Sequence, residues 1–192
     1  MEVKTANPND RRVLRTRRML RDALIELITQ RGWDNISVQD VCDRADVGRS
    51  TFYTHFADKE ELLLGGFDDL RKMLRAQKSA TSGDTLAFVR GLIEHAFEHS
   101  QLFRAIIGKR AGHIVEKRFR QTVTALVKDD LASHGLAGRA LDLTTHYVGG
   151  ALVELLTWWI DTRNALQPTE LEQLFHRLTT PVLVASRGIK SA

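Results

Sequence analysis

A single cysteine, Cys42, occurs among the 192 residues, so no disulfide can form within the chain. In its apolar setting Cys42 reads as a small buried side chain suited to a reducing compartment. Prolines number three, at 8, 168 and 181, which leaves long stretches free of the residue that breaks helices. No apolar run is long enough to span a bilayer, and no hydrophobic signal stretch opens the chain. A cytoplasmic location is therefore expected. Asn35-Ile36-Ser37 fits a glycosylation acceptor, but without secretion the match carries no weight. Alternating apolar and polar runs punctuated by turn pairs are missing, so strands have no support and the fold class is all-α. Also missing are a glycine-rich phosphate loop, a Walker pattern, a G-x-S-x-G elbow and a paired-carboxylate motif. No cofactor is assigned, and the chain reads as a binding protein, not an enzyme.

What is present begins with enough apolar material, 43% of residues, for a packed core. A net charge of +4 is only mildly basic and does not by itself mark a nucleic-acid binder. Placement says more. Arg11, Arg12, Arg15, Arg17, Arg18 and Arg21 cluster within one helix length, an electrostatic footprint suited to phosphates.

Directly downstream lies the stretch around which the chain is organised, residues 37 to 59, SVQDVCDRADVGRSTFYTHFADK. Ser37 is a good N-cap, with Asp40 three residues on as its capping-box partner. Val38, Val41, Cys42 and Ala45 make one apolar stripe at helical spacing. Asp46-Val47-Gly48 reads as a tight turn, Asp tolerating the left-handed backbone of such a corner. In the next helix Phe52 and Phe56 point inward, leaving Arg49, Ser50, Thr51, Tyr53 and Thr54 outward. This is the arrangement a helix-turn-helix offers to the DNA major groove, although a plain helical hairpin with a solvated face shares the periodicity.

With Leu24, Leu27, Ile28, Gly32 and Trp33 upstream, and Ser50-Thr51-Phe52-Tyr53, His55-Phe56 and Lys59-Glu60-Glu61-Leu62 within it, the first third of the chain resembles the tetracycline-repressor (TetR) family. Asp46 stands where the family usually has Gly, and Gly48 where it often has Ser or Thr. Arg49 is the base-reading candidate, since a guanidinium in the first turn can grip guanine O6 and N7 together. Ser50 and Thr54 are candidates for base edges or thymine methyls, and Thr51 is a further DNA-contact candidate. The resemblance implies backbone contacts from Tyr53, His55 and Lys59, with Ser37, Gln39, Arg12 and Arg15 at the flanks.

The layout that follows is a disordered arm (residues 1–10), a three-helix head (11–58) and a larger helical bundle (59–192), with about nine helices in all. The first helix spans 11 to 31 and buries Leu20, Leu24, Leu27 and Ile28; Gly32 stops it, and Trp33 folds back as a cover. Asp58 caps the fourth helix with Glu61 as partner, and Gly65-Gly66 marks a close crossing or a bend. A linker at 79–84 precedes helices near 85–100, 101–109, 112–134, 139–165 and 168–187, the last kinked by Pro181.

The last two helices have wide apolar faces. Gly149, Leu152, Leu156, Trp159, Leu171, Phe175, Leu178 and Val182 are the candidate interface of a homodimer, the bundle that the resemblance implies. An effector pocket is expected among the body helices. Phe88, Leu92, Phe103, Ile107, Phe119, Tyr147 and Trp158 would form its apolar walls, and His95, His113, His146 and Glu154 its polar points. His95-Ala-Phe-Glu98-His99 matches H-x-x-E-H, the inverted zinc-protease arrangement. A catalytic zinc there needs a third protein ligand, and the spacing of Glu94, His113 and His146 selects none. No metal is assigned.

The resulting expectation is a dimeric, sequence-specific regulator of transcription, a repressor released from an inverted-repeat operator by a small effector. Two alternatives stay open: a metal-dependent hydrolase using His95, Glu98 and His99, and a helical interaction module that does not bind DNA.

Overall fold

The computed structural model describes residues 11–80, 84–106, 112–162 and 166–189. The expected arm at 1–10, half of the linker (81–83) and Ile107 lie outside the described residues. Among those described there are nine α-helices, one 3-10 turn and no strand. The chain divides into two units, Met1–Gly66 with Ala105–His113, and Phe67–Arg104 with Ile114–Ala192.

The head unit begins with α1 (Arg11–Arg31), whose Leu20, Ala23, Leu24, Leu27 and Ile28 are buried. Gly32 ends it with φ at +74°, a backbone that side chains rarely adopt. The 3-10 turn Trp33–Asn35 then buries Trp33 as a cover. Next come α2 (Val38–Ala45), α3 (Arg49–His55) and the opening turns of α4 (Lys59–Ala80). Glu61 N–H donates to Asp58 Oδ1 at 2.7 Å, the expected cap. The return bond differs: Glu61 Oε2 accepts from Ala57 N–H at 2.6 Å, one residue before the cap. Gly65 and Gly66 do not interrupt α4. A Cβ there would meet Arg21's side-chain atoms at 3.7–3.8 Å, an ordinary van der Waals contact, so the pair lies against an arginine side chain and not against another backbone.

The body unit holds the rest of α4, then α5 (Phe88–Glu98), α6 (Ser100–Ile106) up to Arg104, α7 (Gly112–Ser133) from Ile114, α8 (Gly138–Asp161) and α9 (Pro168–Ser186). Pro168 opens α9 at a position where its missing N–H costs nothing, while Pro181 lies inside the helix. α5 packs on α8 and α9, and α8 on α9. Between α8 and α9 the buried Thr144 hydroxyl donates to Ser186 Oγ at 2.7 Å. Asp129 on α7 accepts from Arg71 (3.1 Å) and Arg75 of α4, and Arg118 pairs with Asp68 at 2.6 Å.

One polar group sits deep in this body. Asp130 of α7 is 1% exposed, and its Oδ2 accepts the Leu86 N–H at 2.8 Å. Leu86 has φ at +65°, costly for a branched residue, and its side chain is fully buried. Burial of the leucine and capture of its amide hold the corner before α5.

Candidate nucleic-acid interface

The local chemistry of the head explains how a polar helix face comes to stand outward. Asp40 N–H donates to Ser37 Oγ at 3.2 Å, and Ser37 N–H to Asp40 Oδ2 at 2.8 Å. The Ser37 hydroxyl donates to the same carboxylate. These bonds hold the Asp40 carboxyl below its ordinary pKa, with the Ser37 hydroxyl as the first cause. Two ion pairs tie α2 to α1, Arg44–Glu26 at 2.7 Å and Arg31–Asp40 at 3.4 Å. Asp46 adopts φ 53°, ψ 47°, the left-handed corner where the family more often has Gly. Val47 N–H donates to Cys42 O at 3.0 Å to close the turn. Cys42 is buried, and burial pushes its thiol pKa up, as a packing role requires.

α3 leaves the turn with Phe52 and Phe56 buried and ring centroids 5.9 Å apart. Its other face, carrying Arg49, Ser50, Thr51, Tyr53 and Thr54, is exposed. Tyr53 leans its edge on Phe52, and the Arg49 guanidinium lies 5.9 Å from the Tyr53 ring. A hydrogen bond to Tyr53 raises the Arg49 pKa further, so the base-reading candidate is charged and pre-oriented by its own helix. Thr54 donates to Ser50 O at 2.9 Å, which leaves its oxygen free to accept and its methyl free for apolar contact. His55 is half-buried; burial and then the Arg17 charge lower its pKa, so the ring is neutral near pH 7.

Residues 20–65 match the model described as bacterial regulatory proteins, tetR family. The chain carries a tetR-family head. A Bacillus subtilis protein named as the uncharacterized HTH-type transcriptional regulator YxbF is 40% identical over 55 residues, 28% of this chain and 14% of that one. An uncharacterized HTH-type regulator of Haemophilus influenzae is 28% identical over 131 residues, 62% of this chain and 63% of its own. The chain thus spans less than two thirds of either relative's length. In fold, a TetR transcriptional regulator from Streptococcus agalactiae superimposes with a TM-score of 0.62 at 24% identity, covering 88% of this chain and 96% of the other.

Within the tetR-family head the expected contact residues do not all have free side chains. Arg12 and Arg15 are exposed on α1, whereas Arg17 turns in to lie 4.9 Å over the Phe56 ring. Ser37 spends its hydroxyl on the cap. Gln39 is exposed and donates to Asp43 Oδ1 at 2.6 Å. Lys59 is tied into the head itself. Its ammonium donates to Trp33 O at 2.9 Å and Ile36 O at 2.6 Å, and lies 4.4 Å from the Trp33 ring. Burial lowers its pKa against the pull of Asp34, Glu60 and Asp40. The lysine holds the 3-10 turn to the start of α4. Two of the ammonium's three N–H donors are taken by the turn's carbonyls.

The body residues need two corrections. Of the expected pocket walls, Phe88, Leu92 and Phe119 are buried, and Phe103 meets Phe119 edge-on at 5.6 Å. But His146, Tyr147, Glu154 and Trp158 are on the outer face of α8, Tyr147 64% and Trp158 43% exposed. His113 is exposed and belongs to the head unit. Spacings of seven and four put Tyr147, Glu154 and Trp158 on one stripe, opposite the side that meets the core.

Of the dimer candidates, Leu152, Leu156, Trp159, Leu171 and Phe175 are buried within the subunit, so as placed they have no surface to offer a second copy. Gly149 is also internal: a side chain there would meet Thr124 Cα of α7 at 3.5 Å. Leu178 is 64% exposed and Val182 half-buried. Leu143 and Val184, which sequence reasoning passed over, are exposed as well. The signal that could have found Leu143 is its position one turn before Tyr147.

His95 is half-buried, and burial, then the neighbouring His99, lowers its pKa to about 4. Its ring is therefore neutral at pH 7.

Proposed function

We propose that the protein is a homodimeric, sequence-specific DNA-binding regulator of transcription, acting in the cytosol as a repressor that a small effector releases from an inverted-repeat operator. The observation that carries this reading is α3, anchored by Phe52 and Phe56 and presenting Arg49, Ser50, Thr51, Tyr53 and Thr54 outward. The tetR-family match of the head and the regulators of like fold support it. Arg49 reads a guanine edge, Ser50, Thr51 and Thr54 contact neighbouring edges or methyls, and Tyr53 packs on a thymine or the backbone. Arg12, Arg15, Gln39 and His55 attach to phosphates and set register.

Dimerisation uses the outer stripe of α8 and α9, with Leu143, Tyr147, Trp158 and Leu178 facing a second copy. Large apolar side chains standing together in water favour a partner, and a two-fold pairing lets one patch cover its own copy. The effector acts by binding more tightly to a conformer whose heads are mis-spaced for the operator.

Selection of binding sites from random duplexes with the purified protein tests the reading. An inverted repeat with half-sites about one helical turn apart is the expected product. No enriched sequence, together with duplex binding insensitive to salt, overturns it. Tyr147→Glu should convert the dimer to monomer in sedimentation; a dimer that survives this change uses another face.

A further inference from the structure

One group of donors in the body has no part in reading DNA. His95, Glu98 and His99 are spaced i, i+3 and i+4, which sets them on one side of α5 at its C-terminal end. One ligand atom from each lies within 4.8 Å of the other two, and no other such trio of His, Cys, Asp or Glu occurs among the described residues. The two imidazole centroids are 4.3 Å apart. Glu94, one turn earlier, is held by Arg90 at 3.1 Å, whereas Glu98 has no ion pair among the described residues. The His95 and His99 rings are tilted 57° to each other, and no ring hydrogen bond from either is seen among the described residues. Three convergent donors are thus set on one side of an otherwise ordinary amphipathic helix.

We propose that His95, Glu98 and His99 bind a divalent late first-row metal ion of the zinc, cobalt and nickel class. The donor set selects that class. Imidazole suits these ions, whereas calcium and magnesium want oxygen shells that two histidines do not supply. At metal–ligand bonds of about 2.0–2.1 Å, tetrahedral neighbours stand about 3.3 Å apart. The trio as placed is up to roughly 1.5 Å wider than this, a gap that a rotamer change of the exposed Glu98 closes. His99 caps the C-terminus of α5, where the outward carbonyls carry negative charge that favours a cation. The third protein ligand is thus Glu98 of the motif itself; neither His113 nor His146 is required. Three donors leave the ion at least one position for water or an outside ligand. This goes beyond the DNA-binding reading and does not depend on it, since no duplex enters the argument.

The full chain, stripped with a chelator, is titrated with cobalt(II) followed by its visible absorption, and with zinc(II) in competition with a chromophoric chelator. One ion per chain is expected. His99→Ala should weaken binding by at least about a hundredfold and Glu98→Gln by at least about tenfold, since losing a ligand costs no less than losing a group that supports one. His113→Ala and His146→Ala should leave binding unchanged. Circular dichroism of each variant checks its folding, and exposed Glu98 supplies a second variant should His99→Ala misfold. Binding no tighter than about millimolar, or equal affinity in wild type and Glu98→Gln, overturns the proposal. So does a site abolished by His113→Ala or His146→Ala.

Discussion

Replacing Lys59 with Met separates two roles for a basic side chain at the start of α4. The change keeps most of the stem but removes the ammonium that bonds Trp33 O and Ile36 O at 2.9 and 2.6 Å. Hydrogen bonds from a charged donor contribute about 1.5–3 kcal/mol each, and a ring contact at a partly exposed site adds about 0.5–1 kcal/mol. Part of that gain is offset by desolvation, as the lowered pKa of the ammonium indicates. Ile36 O also loses its partner. A net loss of about 2 kcal/mol is therefore expected, or a fall in Tm of roughly 4–8 °C for a chain of this size. Urea unfolding gives the energy, and duplex binding at several salt concentrations gives the second readout. Affinity of the folded variant should keep the wild-type salt slope if the ammonium stays on Trp33 O and Ile36 O when a duplex binds. Unchanged stability with a slope reduced by about one unit would refute the reasoning and return Lys59 to the DNA backbone.

Arg49→Ala should cost about 1–3 kcal/mol on the cognate duplex and relax preference at one base pair; equal losses on cognate and random duplexes would refute a base contact. Asp130→Ala strips the buried Leu86 amide of its acceptor and should destabilise the body by about 2–4 kcal/mol in urea unfolding. Asp46→Gly should be neutral within about 0.5 kcal/mol, since relief of the left-handed strain offsets a looser unfolded chain, while Asp46→Val should cost about 1–2 kcal/mol. In metal-free protein the low His95 pKa makes the unfolded chain bind more protons than the folded one between about 6.5 and about 4. Stability is then full above pH 6.5 and falls as pH drops toward 4. His95→Asn should flatten that part of the urea-midpoint profile, and an unaltered slope would show that other groups carry it.

Much of the head was legible because its determinants are local. Ser37 with Asp40, the apolar stripe of α2, the corner at Asp46 and the Phe52–Phe56 pair each act within one or two helical turns. Chain order therefore determined them, and the structure has them as read. The helical character of the body was legible for the same reason. Which side of a broad helix faces home was not. Val148, Leu152 and Leu156 of α8 are buried while Leu143, Tyr147 and Trp158 stand in water, and all six are apolar or aromatic.

The sequence by itself determined an all-helical chain, a capped helix-turn-helix and an outward polar face on α3, since propensity, capping and period suffice for each. Only the tertiary structure decided that Lys59 serves Trp33 and Ile36, that Gly149 admits α7 and that Asp130 holds the Leu86 corner. It also decided which apolar stripe of α8 stays open to a partner. Those outcomes depend on groups distant in the chain competing for the same donors and the same buried space, and no spacing along one helix records who wins.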